Sequence, residues 1–235
     1  MILTHLQVGT PQPHTSEESA TTPRMDWTSG IAKAAVSGRV ALAPTNLAGD
    51  GQADLRAHGG PEKAVCVYPS EHYDFWSTDL GMHAGPGGFG ENFTVAGMLE
   101  TEICVGDTFR IGSAIVQVSQ PRQPCWKLAR WRGCPTLPTR MQETGRTGWY
   151  LRVLTSGDVQ AGDRFELIAR PAPARTLADA NRAMHQGQAD WQAAATWADC
   201  EWLSTNWRAT FRRRAENRQV EDTRPRLQGP VGQTH

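Results

Sequence analysis

A single cysteine at the end of an apolar segment carries the strongest chemical signal in this chain. The segment reads VSQPRQPC over residues 118–125 and places Cys125 directly after the second of two prolines. Each proline fixes its own φ angle and favours an extended backbone before it, so Cys125 is expected on a stiff segment that leaves a strand. Arg122 can lower the pKa of the thiol and favour the thiolate. Such a thiolate is a nucleophile or a soft metal ligand, and a buried core cysteine is the alternative.

A glycine-rich segment, HGGPEK over residues 58–63, combines a histidine, two glycines and a lysine. Gly59 and Gly60 would let the backbone approach a bulky ligand and present N–H groups to an anion. Lys63 could then supply a positive charge for a phosphate. His58 is a candidate for proton transfer, and a structural histidine is the alternative interpretation.

Two further segments carry polar side chains next to glycines at predicted strand ends. The first reads GGFGEN over residues 87–92 and ends in Glu91 and Asn92. The second reads TGWY over residues 147–150. Glycine turns that enter strands are common, so neither segment predicts a site when it is taken alone.

The elements that must position these segments are predicted to be strands over most of residues 3–168. Short apolar runs are broken repeatedly by Gly, Pro, Asn and Asp, which is typical of a β-barrel or a sandwich. Cys66 and Cys104 lie in such runs and are interpreted as core residues, and residues 10–24 are interpreted as a surface loop. The predicted strands are Leu3–Val8, Ile31–Val36, Val40–Leu42, Ala64–Tyr68, Phe93–Val95, Asp107–Ile111, Ala114–Ser119, Gly148–Leu154 and Arg164–Ile168.

The composition changes after a linker of proline and alanine at residues 170–174. Helices are predicted over Leu177–His185, along the apolar stripe of residues 191–202, and over Asn206–Arg218. The basic residues of the last helix are Arg208, Arg212, Arg213 and Arg214. They form either a solvated face or a docking surface. The residues from 221 onward are predicted to be disordered.

Length and composition exclude several classes of protein. The 235 residues suffice for one large domain, or for one domain with a small appendage. The 24 basic and 24 acidic side chains balance, which argues against stable nucleic-acid binding. We find no signal-peptide pattern and no run of roughly 18 apolar residues, so no membrane span is expected. The five cysteines form no CxxC pair, which favours the reducing cytoplasm over a disulfide framework or a zinc ribbon.

The glycine-rich segments and the cysteine segment, taken in order and spacing, resemble a MOSC domain of the YiiM type. The helical end resembles the small three-helix domain that follows MOSC in that subfamily. The resemblance implies a mainly β fold, with a MOSC-type β-barrel and short helices over residues 1–170, a small C-terminal α-helical domain over 174–220 and a disordered tail over 221–235. The matching blocks read HGGPEKAVCVYPSEHYDFW, FGENFTV, ICVGDTFRIG, VQVSQPRQPCWKL and TGRTGWYLRV.

The resemblance implies that the protein binds a molybdenum cofactor, which is a pterin dithiolene that carries a phosphate. The family cysteine that ligates molybdenum falls on Cys125, and thiolate sulfur suits a metal already held by dithiolene sulfurs. Relatives of the YiiM type reduce N-hydroxylated compounds, including hydroxylamino-purine base analogues, to amines. Cleavage of the N–O bond releases water, so a proton donor must reach the departing oxygen. His58 and Glu91 are the titratable candidates.

The remaining site residues are expected to bind the cofactor. Asn92 and Arg122 can donate hydrogen bonds to it and tune the metal. Arg56 and Lys63 are the nearest candidates for its phosphate, alongside the backbone of the paired glycines.

The sequence contains no Rossmann glycine fingerprint, no iron–sulfur cysteine spacing and no haem motif. A reductase acting on a small N-hydroxylated substrate would therefore take electrons from a separate reductase. The basic helix could dock that donor, pack on the barrel, or pair two subunits in a homodimer.

Three other functions stay open at this point. The chain could be a hydrolase with Cys125 as nucleophile and His58 as base. It could be a non-catalytic carrier of the cofactor or of sulfur. A zinc site formed by His58, His72 and Cys125 is a further alternative.

Overall fold

The structure is a computed structural model that describes residues 1–17 and 24–229. Its strands are β1 (Ile2–Val8), β2 (Gln12–Ser16), β3 (Met25–Ser29), β4 (Ala34–Ala35), β5 (Val40–Leu42), β6 (Val65–Pro69), β7 (Phe93–Ala96), β8 (Thr108–Ile111), β9 (Ala114–Pro121), β10 (Trp149–Thr155), β11 (Gly157–Val159) and β12 (Glu166–Ala169). Its helices are α1 (Leu55–His58), α2 (His72–Leu80), α3 (Trp126–Arg132), α4 (Leu137–Thr144), α5 (Leu177–His185), α6 (Trp191–Ala198), α7 (Thr205–Asn217) and α8 (Arg224–Gln228), with a 3₁₀ turn at Pro61–Lys63.

Eight strands form one sheet in the order β12-β8-β9-β10-β6-β7-β1-β4. The neighbours pair antiparallel, except that β6 and β7 are parallel. The sheet curls back on itself, because the Leu3 N–H donates to the Asp163 carbonyl at 2.9 Å and the Gly162 N–H donates to the Leu3 carbonyl at 2.7 Å. These bonds bring the segment before β12 beside β1. The mainly β fold predicted from the sequence is confirmed as a curled, partly closed barrel.

The three C-terminal helices share one hydrophobic core with the sheet. Trp149 of β10 and Phe109 of β8 belong to the same buried cluster as Trp207 and Phe211 of α7. The Ser204 N–H at the start of α7 donates to the Ser119 carbonyl of β9 at 2.9 Å. Because both faces of β9 are covered in this way, its side chains are buried almost continuously, unlike those of a strand with one wet face. The helical region therefore supports the strand that leads to Cys125.

A second hydrophobic cluster holds the helices around the cysteine segment. Tyr68 of β6 stacks on Phe89 with ring centroids 4.2 Å apart. Leu128 of α3 and Met141 of α4 are buried in the same cluster. A buried α2 side chain, Trp76, donates its indole N–H to the Tyr68 hydroxyl. This packing fixes α3 against the barrel and so fixes the residue that precedes it.

Two segments differ from the sequence prediction. Residues 12–16, within the region interpreted as a loop, form strand β2 and pair with residues 25–29, which follow that region, with Gln12 opposite Ser29. The backbone ladder and the packing of Trp27 against Trp126, 5.9 Å between ring centroids, outweigh the weak strand propensity of this polar segment. The rest of that loop, residues 18–23, lies outside the described residues.

The tail predicted to be disordered contains helix α8. Its residues are held from outside the segment: Arg214 of α7 donates to Glu221 at 2.8 and 2.6 Å, and Arg226 donates to the Pro124 carbonyl at 2.6 Å. Tertiary contacts therefore order a stretch whose composition is typical of disorder. Residues 230–235 of the predicted tail lie outside the described residues. Within the described ranges, no helix has the length and apolar character needed to cross a membrane.

The basic face predicted on the last helix is smaller than expected. Arg214 is 1 % exposed and paired with Glu221, so it lies inside the molecule. Arg208 donates to the Ala198 carbonyl at 3.2 Å. Arg212 and Arg213 are exposed.

A histidine at the end of α5 makes the helical region sensitive to acid. The ring of His185 meets Trp207 edge-on, and its Nε2 is shielded from solvent with no partner among the described residues. Burial, with the charges of Arg226 and Arg214, lowers the pKa of His185 from 6.5 to about 3. The unfolded chain therefore binds more protons than the folded chain between these two values, so the free energy of unfolding falls as the pH falls through that window.

We expect His185→Phe to remove this part of the acid sensitivity. The melting temperature of the variant should fall less than that of the wild type between about pH 6.5 and pH 4, since phenylalanine has no proton to gain. Circular dichroism melts across that range measure the difference. Parallel curves for the two proteins would contradict the assignment.

Candidate functional site

One cavity at the end of the barrel, where β9 ends and β10 begins, collects most of the reactive side chains. It encloses about 610 Å³ of empty space, including its open mouth. Its charged or titratable lining residues are Lys33, Asp54, His58, Lys63, Cys66, Arg122, Cys125, Lys127 and Tyr150. Four of these are lysine or arginine and one is a carboxylate, so the cavity favours an anionic ligand.

Cys125 lies at the cavity as the residue that precedes α3. Its backbone is extended, with φ −132° and ψ 167°, and its carbonyl accepts the Leu128 N–H at 3.1 Å. The Arg122 N–H donates to the Gly148 carbonyl at 2.9 Å, which ties the proline segment to the start of β10. Gly148 has φ +69°, and a Cβ there would collide with the Val67 carbonyl. The backbone close to Cys125 is therefore fixed on both sides, as the two prolines predict.

The surroundings of Cys125 favour its thiolate. Burial alone raises the pKa of this thiol, but a hydrogen bond with the His58 side chain and the charge on that ring lower it. The charge of Arg122 and the backbone N–H of Lys127 act in the same direction. The net pKa of Cys125 is about 7, lowered from an ordinary value of 9.0. A large fraction of Cys125 is therefore ionised at neutral pH, as a nucleophile or a metal ligand requires.

Alkylation of the cofactor-free protein tests this pKa. We expect the rate at which iodoacetamide modifies Cys125 to rise with a midpoint near pH 7. His58→Ala should move that midpoint upward, because the hydrogen bond and the charge are both removed. Mass spectrometry of the peptides separates Cys125 from Cys134, a half-buried cysteine outside the cavity that serves as the internal control. A wild-type midpoint near 9, or no shift in His58→Ala, would contradict the pairing.

Arg122 is a buried cation that faces the cavity. Its side chain is 7 % exposed, and its Nη1 donates to the Phe89 carbonyl at 2.6 Å. Among the described residues no carboxylate lies within ion-pair distance of it. A buried guanidinium with no carboxylate partner is costly, so the arrangement fits an anion, such as the Cys125 thiolate or a bound ligand, beside Arg122.

Three lysines add to the positive charge of the cavity. Lys63 donates to the Ala57 carbonyl at 2.6 Å, and burial lowers its pKa. Lys33 is paired with the buried Asp50 carboxylate, so its charge is largely balanced. Lys127 donates to a carbonyl of the β2–β3 hairpin at 3.3 Å. Neither Lys63 nor Lys127 has a carboxylate partner among the described residues, so both offer charge to a ligand. The contact of Lys63 with a phosphate stays a prediction, and no local pattern pointed to Lys33.

Glu91 does not line the cavity, which corrects its prediction as a proton donor. Its carboxylate is fully buried and accepts hydrogen bonds from the Gly87 and Phe89 N–H groups, at 2.9 and 2.8 Å, and from the Tyr73 hydroxyl at 2.7 Å. It shapes the glycine turn whose Phe89 carbonyl accepts from Arg122. Glu91 thus acts on the site through Arg122, at a distance from any ligand.

Asn92 lines the cavity, but both ends of its amide already have backbone partners. Its Oδ1 accepts the Cys66 N–H at 3.1 Å and its Nδ2 donates to the Gln7 carbonyl at 3.3 Å. The side chain bridges β6 and β1 near the cavity wall. The structure therefore favours a structural role over the predicted hydrogen bond to a cofactor.

The paired glycines and Arg56 lie beside the cavity, outside its lining. Gly59 ends α1, where an added Cβ would press on Leu55, and Gly60 has φ +93° with open space around it. They turn the chain from α1 into the 3₁₀ turn that carries Lys63. The side chain of Arg56 is exposed. The glycine turn thus sets the directions of His58 and Lys63. The contacts of Gly59, Gly60 and Arg56 with a cofactor stay predictions.

Sequence reasoning also missed Cys66 and Tyr150 as residues of the cavity wall. Cys66, interpreted as a core residue, lies opposite Tyr150 on the paired strands β6 and β10. Both line the cavity next to Arg122. Burial raises the pKa of both groups. The apolar neighbours of Cys66 in sequence are typical of a core strand, so they give no sign of a cavity residue. Tyr150 lies in the TGWY motif, which predicts no site when it is taken alone.

The zinc alternative is not supported by the geometry. His72 is buried and bonded to Glu100 at 2.7 Å, away from the cavity. In the part of the chain that the structure describes, no three His, Cys, Asp or Glu residues are grouped closely enough to hold a metal ion by themselves.

Two family models match two consecutive parts of this chain. A model of the MOSC domain matches residues 54–166, and a model of the YiiM-like, 3-alpha helix domain matches residues 176–218. An uncharacterized protein, YflK of Bacillus subtilis (strain 168), is 45 % identical over 80 % of this chain and 85 % of its own length. A protein named Reductase from Gibberella moniliformis (strain M3125 / FGSC 7600) is 35 % identical over 66 % of this chain and 28 % of its own length.

Two YiiM proteins extend the match along the chain. Protein YiiM of Escherichia coli (strain K12) is 37 % identical over 86 % of this chain and 91 % of its own length. The crystal structure of YiiM from Geobacillus stearothermophilus superposes with a TM-score of 0.75 and 34 % identity, covering 91 % of this chain and 98 % of that one. The chain belongs to the YiiM-type family of MOSC domain proteins.

Proposed function

We propose that this chain is a molybdenum-cofactor-dependent oxidoreductase that reduces N-hydroxylated compounds, such as hydroxylamino-purine base analogues, to amines. Membership of the MOSC family and the similarity to a protein named Reductase indicate a molybdenum-cofactor-related, oxidoreductase function. The observation that carries the finer proposal is the pairing of Cys125 with His58 beside the buried Arg122 in one cavity. A soft donor, a titratable ring and a fixed cation at one place support reduction of a polar N–O bond.

The residues of the cavity fit the proposed cofactor. A thiolate at Cys125 is the soft donor that molybdenum bound by dithiolene sulfurs accepts. Lys63 and Arg122 offer positive charge to the phosphate and to the polar edge of a pterin. When bound, the cofactor supplies the two-electron reduction, and the protein supplies orientation, protons and exclusion of water.

The proton requirement assigns roles to two side chains. Reduction of R–NHOH takes two electrons and two protons, breaks the N–O bond, and gives R–NH₂ and water. His58, half-buried at the cavity wall, is the titratable group that can hold a proton at a ring nitrogen and pass it to the departing oxygen. The Tyr150 hydroxyl stays protonated, because burial raises its pKa. Its O–H is a second hydrogen-bond donor in the same cavity, in addition to the ring of His58.

We propose that the electrons come from a separate reductase. In the Gibberella relative the matched region is 28 % of a longer chain named Reductase. The present sequence carries no Rossmann glycine fingerprint, no iron–sulfur cysteine spacing and no haem motif, which supports an external source of electrons. The exposed Arg212 and Arg213 of α7 are the part of the predicted docking surface that stays available. The homodimer and the cytoplasmic location stay predictions.

One observation favours a second candidate function. A cysteine with a pKa near 7 that is hydrogen-bonded to a histidine is also the arrangement of a thiol hydrolase. Such an enzyme would form a thioester on Cys125 without any metal.

Turnover by the purified protein separates these functions. The protein is incubated with a hydroxylamino-purine and a chemical reductant, and the amine is measured by chromatography. We expect amine formation in proportion to the bound molybdenum. Molybdenum without amine would indicate a carrier, and ester hydrolysis by metal-free protein would indicate a hydrolase. Either result would overturn the proposal.

A further inference from the structure

The C-terminal segment 219–229 returns from the three-helix region to the cysteine segment. Its helix α8 lies against α3, and the Arg226 guanidinium bridges two parts of the molecule. The Nη1 of Arg226 donates to the Pro124 carbonyl at 2.6 Å, and its Nη2 donates to the Gln142 side chain of α4 at 2.6 Å. Pro124 is the residue directly before Cys125. Neither matched domain, at 54–166 or 176–218, includes this segment.

Both ends of the segment are attached. At its start, the buried Arg214 of α7 donates to Glu221 at 2.8 and 2.6 Å and to the Met184 carbonyl of α5 at 2.9 Å. At its end, Gly229 lies so close to Trp126 that an added Cβ would be 2.9 Å from the indole ring. The segment therefore connects α5 and α7 to the first residue of α3.

The cysteine segment has few main-chain bonds of its own. Pro121 and Pro124 lack an N–H, so they cannot donate to the backbone. The first carbonyl that α3 uses is that of Cys125, which leaves the Pro124 carbonyl outside the helix. Arg226 supplies a charged donor to this carbonyl, and charge-assisted hydrogen bonds are roughly twice as strong as neutral ones.

We propose that Arg226 is a positioning residue that holds Pro124, and through it the Cys125 side chain, in the orientation the cavity needs. The three-helix region then acts on the site through residues 219–229. The part of this inference that concerns turnover rests on the proposed function. The part that concerns the order of the cysteine segment does not.

Arg226→Gln is the test variant, because glutamine stays polar but loses the charge and the two-pronged geometry. Arg224→Gln is the matched control, since Arg224 lies two residues away on the same helix and its side chain is 77 % exposed. In full-length, cofactor-free protein, hydrogen exchange of the amides at 125–129 is measured by mass spectrometry. The rate of Cys125 alkylation is measured at one pH. In the cofactor-loaded protein, kcat and KM are measured separately.

We expect Arg226→Gln to speed exchange at 125–129 and to lower kcat by about 10-fold with little change in KM, as loss of an outer-shell support does. Arg226→Lys should recover part of kcat, because lysine keeps the charge but reaches one acceptor. Arg224→Gln should behave as wild type. If Arg226→Gln does not fold, the same comparison is made with Arg226→Lys, which should then show the loss itself.

The proposal would be overturned if Arg226→Gln and Arg224→Gln had the same amide exchange rates at 125–129, the same rate of Cys125 alkylation and the same kcat. Faster exchange with unchanged alkylation and unchanged kcat would also overturn it, because the segment would then order the backbone without positioning the thiol. A wild-type protein that forms no amine would refute the proposed function, while the exchange and alkylation comparison would still decide the role of Arg226.

Discussion

Cys125→Ser is expected to lose reduction of N-hydroxylated compounds by at least about 100-fold and to lose its bound molybdenum, with its fold intact. A serine hydroxyl is a harder and far less acidic donor than a thiolate with a pKa near 7. The extended position before α3 accepts serine without strain, since serine is favoured at the start of a helix. Amine formation and metal content are measured together, with the melting temperature as the check on folding.

Cys134→Ser is the matched control for this prediction. Cys134 is also a half-buried free thiol, and it lies just after α3, outside the cavity lining. The control should keep its activity and its metal. Full activity in Cys125→Ser, or equal losses in both variants, would remove Cys125 from the assignment.

Arg122→Met is expected to weaken cofactor retention by about 10- to 100-fold. Methionine fills much of the same volume as arginine but removes its charge, which faces the cavity and has no carboxylate partner in the described ranges of the chain. The Phe89 carbonyl also loses its donor, so a stability loss of about 1–3 kcal/mol is expected at the same time. Cofactor content is measured by pterin fluorescence after release and by elemental analysis for molybdenum.

Two comparisons separate charge from packing in that experiment. Arg122→Lys keeps the charge but not the planar fork, and should retain more cofactor than Arg122→Met. Arg110→Met removes an exposed arginine on β8 that does not line the cavity, and should leave the cofactor content unchanged. Wild-type cofactor content in Arg122→Met would show that the buried cation does not serve the ligand.

The residues that the sequence grouped correctly are those whose backbone is constrained locally. The prolines of the 118–125 segment and the positive φ of Gly148 fix where Cys125 and the start of β10 lie. His58 and Lys63 lie in one motif, and the turn at Gly60 brings them to the same wall. Local sequence was therefore sufficient for the centre of the site.

The residues that the sequence misassigned depend on distant partners. A carboxylate next to glycines can serve a ligand or the protein itself, and the hydrogen bond from the Tyr73 hydroxyl of α2 holds the Glu91 carboxylate inside the protein. Cys66 becomes a wall residue because β6 pairs with β10, which its neighbours in sequence do not reveal.

The same reason explains the C-terminal segment. Its composition is typical of disorder. Helix α8 nevertheless forms, because the buried Arg214 of α7 donates to Glu221 and the Pro124 carbonyl beside Cys125 accepts a hydrogen bond from Arg226. Amino-acid composition alone cannot predict such contacts with residues that are distant in sequence.

The most direct test of the account is the molybdenum content of the wild-type protein, purified from cells grown with molybdate and compared with Cys125→Ser prepared in parallel. Elemental analysis gives moles of metal per mole of chain, and X-ray absorption identifies the atoms bound to it. We expect close to one molybdenum per chain, with sulfur ligands, in the wild type, and a much lower molybdenum content in Cys125→Ser. A wild-type protein without molybdenum that still acts on its substrates, or a metal content unaffected by the substitution, would contradict the account.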